Sequence, residues 1–281
     1  MRLYQWMPYA TFKKAIGDGC IWVRATMPME FNDPFDCTGG IWGYPNSDVV
    51  REFMEKCPAS RMCFEQKFQL GTLGDDYNTA AVREVATLLW NMFRDRRFIG
   101  QGFRIACFSR ADEMNAGEQL LMWSHYGEKG LGVRLGVEVD GRMENLVNVE
   151  YEEMAPKLDL SELSALNELE SFIATCIKTK HRAWKYEHET RIVFKGPRHP
   201  DICKYEDSET KITCERWRIP LKQVTEVAIG GLRLNARGYP DEEMSLLRKL
   251  KDAGCRPEAF KCARLNYNTY SYESMASFIC S

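Results

Sequence analysis

Glu187-His-Glu189-Thr-Arg191 sets three charged side chains at alternate positions, running directly into Ile192-Val-Phe194. Alternate side chains of an extended chain share a face and lie about 6–7 Å apart. The spacing predicts a strand with Glu187, Glu189 and Arg191 on one face and Ile192 and Phe194 on the other. Two carboxylates so close resist ionising together unless a cation or hydrogen bonds compensate. One of them could then stay protonated near neutral pH, a condition found at functional sites, or Arg191 could simply neutralise both on a solvated strand. Together with Asp33, Glu187 and Glu189 could also hold Mg²⁺, which takes a few carboxylates and keeps its waters.

Two more segments carry polar chemistry. Phe31-Asn-Asp-Pro-Phe-Asp36 is turn chemistry, because the residue before proline avoids the helical region and Asn or Asp side chains bond nearby backbone. Met122-Trp-Ser-His-Tyr-Gly127 joins Trp123, His125 and Tyr126 into stacking surface with three polar tips. The strand expected after it carries Gly130, Gly132 and Gly136, and glycine in a strand often marks close approach by a ligand or another backbone. Trp123 and Tyr126 are accordingly expected to form the floor for a flat ligand. The alternative is that Trp123 fills the core and His125 is a hydrogen-bonded histidine beside it. Asn32, Asp33, Trp123, His125, Tyr126, Glu187, Glu189 and Arg191 are expected to gather at one site.

The positioning elements follow from periodicity. Residues 2–6 and 20–25 read as strands around a helix near 10–17. A mainly helical block runs from Ser47 to about Gly100, its clearer helix starting near Asn78 with Val82, Val85, Leu88, Leu89, Met92 and Phe93 on one stripe. Residues 104–109 form an apolar, central strand. A short helix or turn over 120–127 precedes strands at 130–138 and 146–151. A helix over 161–180, capped by Ser161, then delivers the chain to the Glu-x-Glu segment. After a polar loop at 196–213 come strands near 215–220 and 224–229. Pro240 and Gly254 bound a helix, and a last strand lies near 259–265. Strands and helices mix without a βαβ rhythm and no phosphate-binding glycine loop follows a strand, which disfavours a Rossmann or P-loop architecture. The expected fold is α+β: a single domain over 1–281 with one mixed or antiparallel sheet, helices around it, and a helical insertion at about 47–100.

Composition narrows the function classes. The 281 residues are 44% hydrophobic and 28% charged with a formal net charge of −2, which argues against coating nucleic acid through bulk charge. No apolar run reaches the ~18 residues of a membrane span, and the first residues lack a signal-peptide pattern, so a cytoplasmic protein without a membrane partner is expected. The eleven cysteines are scattered with no C-x-x-C pair, and are expected to be reduced. With four histidines and no ligand spacing, no zinc site is expected.

Leu3-Tyr4, Phe31-Asn-Asp-Pro-Phe-Asp36, Met122-Trp-Ser-His-Tyr-Gly-x-x-Gly-Leu-Gly-Val133, Lys180-x-x-x-Trp-x-Tyr-Glu-x-Glu-x-Arg191 and Val224-x-Glu-Val-x-Ile-Gly230 together resemble the bacterial DUF2971 family, of unknown function and often found near mobile and phage-defence genes. More loosely, the Glu-x-Glu resembles the biglutamate motif of mono-ADP-ribosyltransferases. That likeness implies an ADP-ribosyltransferase-like fold and NAD as substrate, with Glu189 on the nicotinamide ribose and Glu187 on the acceptor side. Glycosidic cleavage develops an oxocarbenium-like cation that a fixed carboxylate stabilises. The likeness also calls for an arginine or histidine on the first strand and a serine or tyrosine on the next. Arg2 or Tyr4, then Thr26, are the candidates here, and no histidine precedes His125.

The leading expectation is thus an NAD-consuming transferase acting as a toxin or antiviral-defence effector on an unknown protein or nucleic-acid acceptor. Its catalytic residues would be Glu189, Glu187 and His125. Its nucleotide would be held by Tyr4, Asn32, Asp33, Trp123, Tyr126 and Arg191. The rivals are a non-catalytic module sensing a nucleotide or phage component, and a Mg-dependent nuclease.

Overall fold

Alternation of apolar and polar residues along successive strands builds one large mixed sheet with two unlike faces. The computed structural model describes residues 1–56, 82–84, 86–88, 91, 102–196, 200–206, 213–233, 241–266, 268–269 and 271–276. The chain divides into two compact units.

The first unit comprises Met1–Thr26, Arg104–Val149 and Ala183–Ser281. Its strands are β1 (Arg2–Met7), β2 (Ile16–Gly17), β3 (Cys20–Arg24), β5 (Phe103–Ser109), β6 (Val133–Glu138), β7 (Leu146–Asn148), β11 (Glu189–Lys195), β12 (Ile202–Glu206), β13 (Thr213–Pro220), β14 (Val224–Gly230), β15 (Phe260–Asn266) and β16 (Ser271–Ala276). The eight-stranded sheet has the order β16-β15-β14-β6-β1-β5-β11-β7, and β12-β13-β3-β2 forms a second sheet. The β14–β15 pair is parallel, whereas β1–β6, β6–β14, β15–β16 and β7–β11 are antiparallel, so the large sheet is mixed. Helices α1 (Tyr9–Ala15), α3 (Ala116–His125) and α5 (Asp241–Asp252) belong to the same unit.

One face of the large sheet is apolar throughout. Leu3, Met7, Ala106, Phe108, Val133, Leu135, Val137, Ile192, Phe194, Val227 and Ile229 form a common core. Ile21, Val23, Trp217 and Ile219 of the second sheet join it, with Phe12 of α1 and Leu247 and Leu250 of α5. Each of these strands supplies alternate residues to the core and so sends the others to the opposite face. That opposite face holds a second cluster of Tyr4, Trp6, Ala228 and Ala263, covered by Met122 and Trp123 of α3.

The second unit, Met27–Phe103 and Glu150–Arg182, contains β4 (Gly40–Trp42), β8 (Glu150–Glu152), β9 (Lys157–Asp159), β10 (Thr179–His181), α2 (Ser47–Lys56) and α4 (Leu166–Lys178). Strands β4 and β9 pair in parallel, as do β8 and β10. In α4, Leu169, Phe172, Ile173, Cys176 and Ile177 are buried, a spacing of three and four that puts them on one stripe.

Most expected elements appear. The exceptions have local causes. The long helix begins at Leu166 with Ala165 as its N-cap, and Ser161 instead bonds Asp159 within a short 3-10 turn. Residues expected as a polar loop contain β12, an edge strand whose polar side chains face outward and hide its pairing signal. Strand β16 is a further edge strand after the one expected to be last. The stretch near 146–151 is two strands, β7 and β8, one in each unit. The helix expected from Asn78 to Gly100 lies largely outside the described residues, as do Cys57, Cys63 and Cys280. The described cysteines 20, 37, 107, 176, 203, 214, 255 and 262 are free thiols. Among the described residues no helix is long and apolar enough to cross a membrane.

Candidate functional site

Strand β11 begins at Glu189, not at Glu187. Residues Arg182–Glu187 form a 3-10 turn, and His188 adopts a left-handed φ of 43° that ends it. A positive φ breaks the alternation that would have carried Glu187 onto the strand face, so only Glu189 and Arg191 share it. Their side chains, both buried, meet in a fork: Arg191 Nε donates to Glu189 Oε1 at 2.7 Å and Nη2 to Oε2 at 3.2 Å. Two parallel charge-assisted bonds offset the desolvation of both ions. Both oxygens of Glu189 are thereby engaged.

Glu187 has a different setting. It is buried at the end of the 3-10 turn and accepts a 2.5 Å hydrogen bond from the Tyr126 hydroxyl. Tyr126 is presented by the C-terminal end of α3, where its backbone N–H reaches Met122 O at 2.9 Å. That helix is anchored at its start by a capping box between Asn115 and Glu118. One residue before Tyr126, exposed His125 sets Nδ1 2.9 Å from the Tyr186 hydroxyl, the donor depending on the imidazole tautomer. The rings form a chain: His125 to Tyr126 at 6.2 Å and 84°, His125 to Tyr186 at 5.7 Å and 71°, Tyr186 to Trp184 at 6.1 Å and 38°. Tyr126, Trp184 and Tyr186 are half-buried, so this cluster reaches solvent with a carboxylate behind it.

Trp123 is elsewhere. It is fully buried, stacked on Tyr272 at 5.0 Å and 27°, and edge-on to Trp6 at 6.5 Å. The space beside the strand glycines is filled by the chain itself. A Cβ at Gly130 would meet the Tyr272 hydroxyl, one at Gly132 the Met7 carbonyl, and one at Gly136 the Glu226 Cβ at 2.8 Å. The expected floor for a flat ligand is thus intramolecular packing at Trp123, and the solvent-reaching aromatics are His125, Tyr126, Trp184 and Tyr186.

The same sheet face carries charge that sequence reasoning passed over. Arg134 Nε donates to Glu226 Oε1 at 2.6 Å, and Lys261 Nζ to Glu226 Oε2 at 2.8 Å. The Arg134 guanidinium lies 5.3 Å from the Tyr4 ring and 5.7 Å from Trp6, a cation–π arrangement. Tyr4 donates to Asp112 Oδ1 at 2.9 Å, and burial raises its pKa. Its neighbour Arg2 is pushed up first by a hydrogen bond to Tyr4. The available signal was alternation itself: Arg134 and Glu226 each interrupt an apolar run at the parity of the opposite face. His188 stands near two carboxylates, Nδ1 3.7 Å from Glu113 and Nε2 3.3 Å from Glu118. Thr26 pairs its backbone with Ile105 of β5 in an isolated bridge.

Asn32 and Asp33 belong to the second unit. There Asn32 Oδ1 accepts from Asp33 N at 3.0 Å and Asp33 Oδ1 from Phe35 N at 2.9 Å, the expected capped turn. The turn leads to buried Asp36, which pairs with buried Lys180 at 3.6 Å. Among the described residues no group of three or more His, Cys, Asp or Glu could hold a metal ion.

No curated protein and no solved structure matches the chain. Residues 122–192, which supply His125, Tyr126, Trp184, Tyr186, Glu187, Glu189 and Arg191, match the model of DUF2971, a family described as protein of unknown function.

Proposed function

We propose that the first unit is a nucleotide-recognition module that binds a nucleotide of the NAD class on the surface formed by His125, Tyr126, Trp184 and Tyr186. The observation carrying this reading is the half-buried aromatic chain backed by Glu187, while Glu189 is held by Arg191. Aromatic faces that reach solvent contribute about 1–3 kcal/mol per stacked base. The carboxylate and hydroxyls beside them supply hydrogen-bond acceptors and donors for ribose. Titration of the pure protein with NAD, followed by tryptophan fluorescence, should give saturable binding without nicotinamide release. Absence of any saturable change would sink the proposal.

A second reading is favoured by one specific observation. Glu187 accepts a hydrogen bond from Tyr126 beside the aromatic surface. In an NAD-consuming transferase it, and not Glu189, would stabilise the cation left when the C1′–N bond breaks and nicotinamide departs with the bonding electrons. Nicotinamide release lost in Glu187→Gln but kept in Glu189→Gln would select that reading.

A further inference from the structure

We propose that the outward face of the second sheet, β12-β13-β3-β2, binds single-stranded nucleic acid, with Arg216 and Arg218 on phosphates and Trp22 and Tyr205 against unpaired bases. The register sorts these strands into two faces. Ile21, Val23, Trp217 and Ile219 join the core and Ile202 packs against it, so the residues alternating with them face away. Those are Trp22 and Arg24 on β3, Cys203 and Tyr205 on β12, and Arg216 and Arg218 on β13. Arg216 stands opposite Arg24 and Cys203, and Arg218 opposite Trp22, so neither has a carboxylate as its register partner. No outward position within the four strands holds Asp or Glu. Glu215 has the inward parity and pairs with Arg104, and Asp18 and Asp201 lie in turns outside the strands. Such a local patch attracts a polyanion although the whole chain carries a net charge of −2.

The side chains are set for that partner. The Arg216 guanidinium lies 3.5 Å from the centre of the Tyr205 ring, and its Nη1 donates to Lys14 O at 3.0 Å. Arginine presents its N–H donors in a planar fork that matches a phosphate, and a fork already held flat loses less freedom on closing around an oxyanion. Two residues further along the same face, about 6–7 Å away, exposed Arg218 offers a second fork. Beside it Trp22 rests against β2, where a Cβ on Gly17 would meet its Nε1 at 2.6 Å. Trp22 and Tyr205 are half-buried, so the sheet fixes each ring while it still reaches solvent. A duplex keeps its bases stacked inside, whereas the bases of a single strand are open to such rings. Cationic forks beside aromatic platforms therefore favour the single strand. None of these residues belongs to the aromatic surface at α3, so NAD binding there is not required.

The test is fluorescence anisotropy of the full chain with a labelled single strand of about 12 nucleotides, as DNA and as RNA, and with the matching duplex. At about 50 mM salt a single strand should bind saturably with a Kd on the order of 1–100 μM, at least about tenfold more tightly than the duplex. With two phosphate contacts, log affinity should fall against log salt with a slope of about −1.4. Arg218→Ala should weaken binding and make that slope shallower by about 0.7. Trp22→Leu should weaken binding by at least about fivefold and leave the slope unchanged. Both variants should keep the circular dichroism spectrum of the parent, and should Trp22→Leu fail to fold, Tyr205→Leu carries the same expectation. Saturating NAD should not displace the strand. Binding to neither single strand, equal affinity for the duplex, an unchanged slope in Arg218→Ala, or displacement by NAD would each overturn the proposal. So would binding to phosphatidylserine vesicles with none to oligonucleotide, the mark of a membrane surface.

Discussion

The two faces of the large sheet are made by the same strands yet hold together differently. On one, Leu3, Leu135, Phe108, Ile192 and Val227 exclude water with no polar atom to satisfy. On the other, Tyr4, Arg134, Glu226, Glu189 and Arg191 are as deeply buried but survive only in pairs. Apolar burial is non-directional and tolerates loss in proportion to volume, whereas a buried charge depends on one particular partner. The polar face is therefore the more fragile, and α3 with the 3-10 turn extends it to solvent at His125 and Trp184.

The largest effect that would sharpen this contrast is on the polar side. Arg191→Met leaves the Glu189 carboxylate buried without its fork and should cost about 3–5 kcal/mol in urea unfolding. Adding Glu189→Leu should restore most of that loss, because the carboxylate that Arg191 held is then gone as well. A double variant no more stable than Arg191→Met would break the comparison.

On the apolar side Leu135→Ala should cost about 2–5 kcal/mol, and no second substitution of a polar neighbour should rescue it. A smaller effect is expected from crowding. Gly136→Ala sets a methyl 2.8 Å from Glu226 Cβ and 3.1 Å from the Tyr4 ring, and should lose about 1–3 kcal/mol through overpacking. Its melting temperature should fall while the apolar-face tryptophan Trp217 keeps its emission.

The smallest effect at neutral pH belongs to Tyr9, whose hydroxyl is buried with no hydrogen-bond partner among the described residues. Burial first, then Glu243, pushes its pKa up to about 12. The folded state therefore favours the protonated phenol relative to the unfolded chain, whose pKa is about 10. That contribution is fully present below about pH 10 and is lost as pH rises towards 12. Tyr9→Phe should be neutral or slightly stabilising at pH 7, since it removes an unsatisfied polar atom. Above pH 10 it should flatten the fall in stability. Identical alkaline profiles for both proteins would contradict this.

By itself the sequence determined the α+β class, because alternation in 104–109, 130–138 and 224–229 and the three-four spacing of 166–178 are local properties of the chain. It also singled out His125, Tyr126 and Glu187 as polar groups beside apolar elements, and the turn at Asn32-Asp33 through its own Asx chemistry. The family likeness likewise rested on segments readable in order. Tertiary structure alone decided which partner each group has. No spacing rule pairs Arg134 with Glu226 across 92 residues, or Tyr126 with Glu187 across 61, because such contacts depend on which strands and turns become neighbours. Nor does alternation reveal the left-handed His188 that takes Glu187 off the strand, since a single positive φ leaves no periodic trace. Trp123 looked like a ligand floor for the same reason: Tyr272, about 150 residues later, is the ring that stacks on it, and only folding brings the two together.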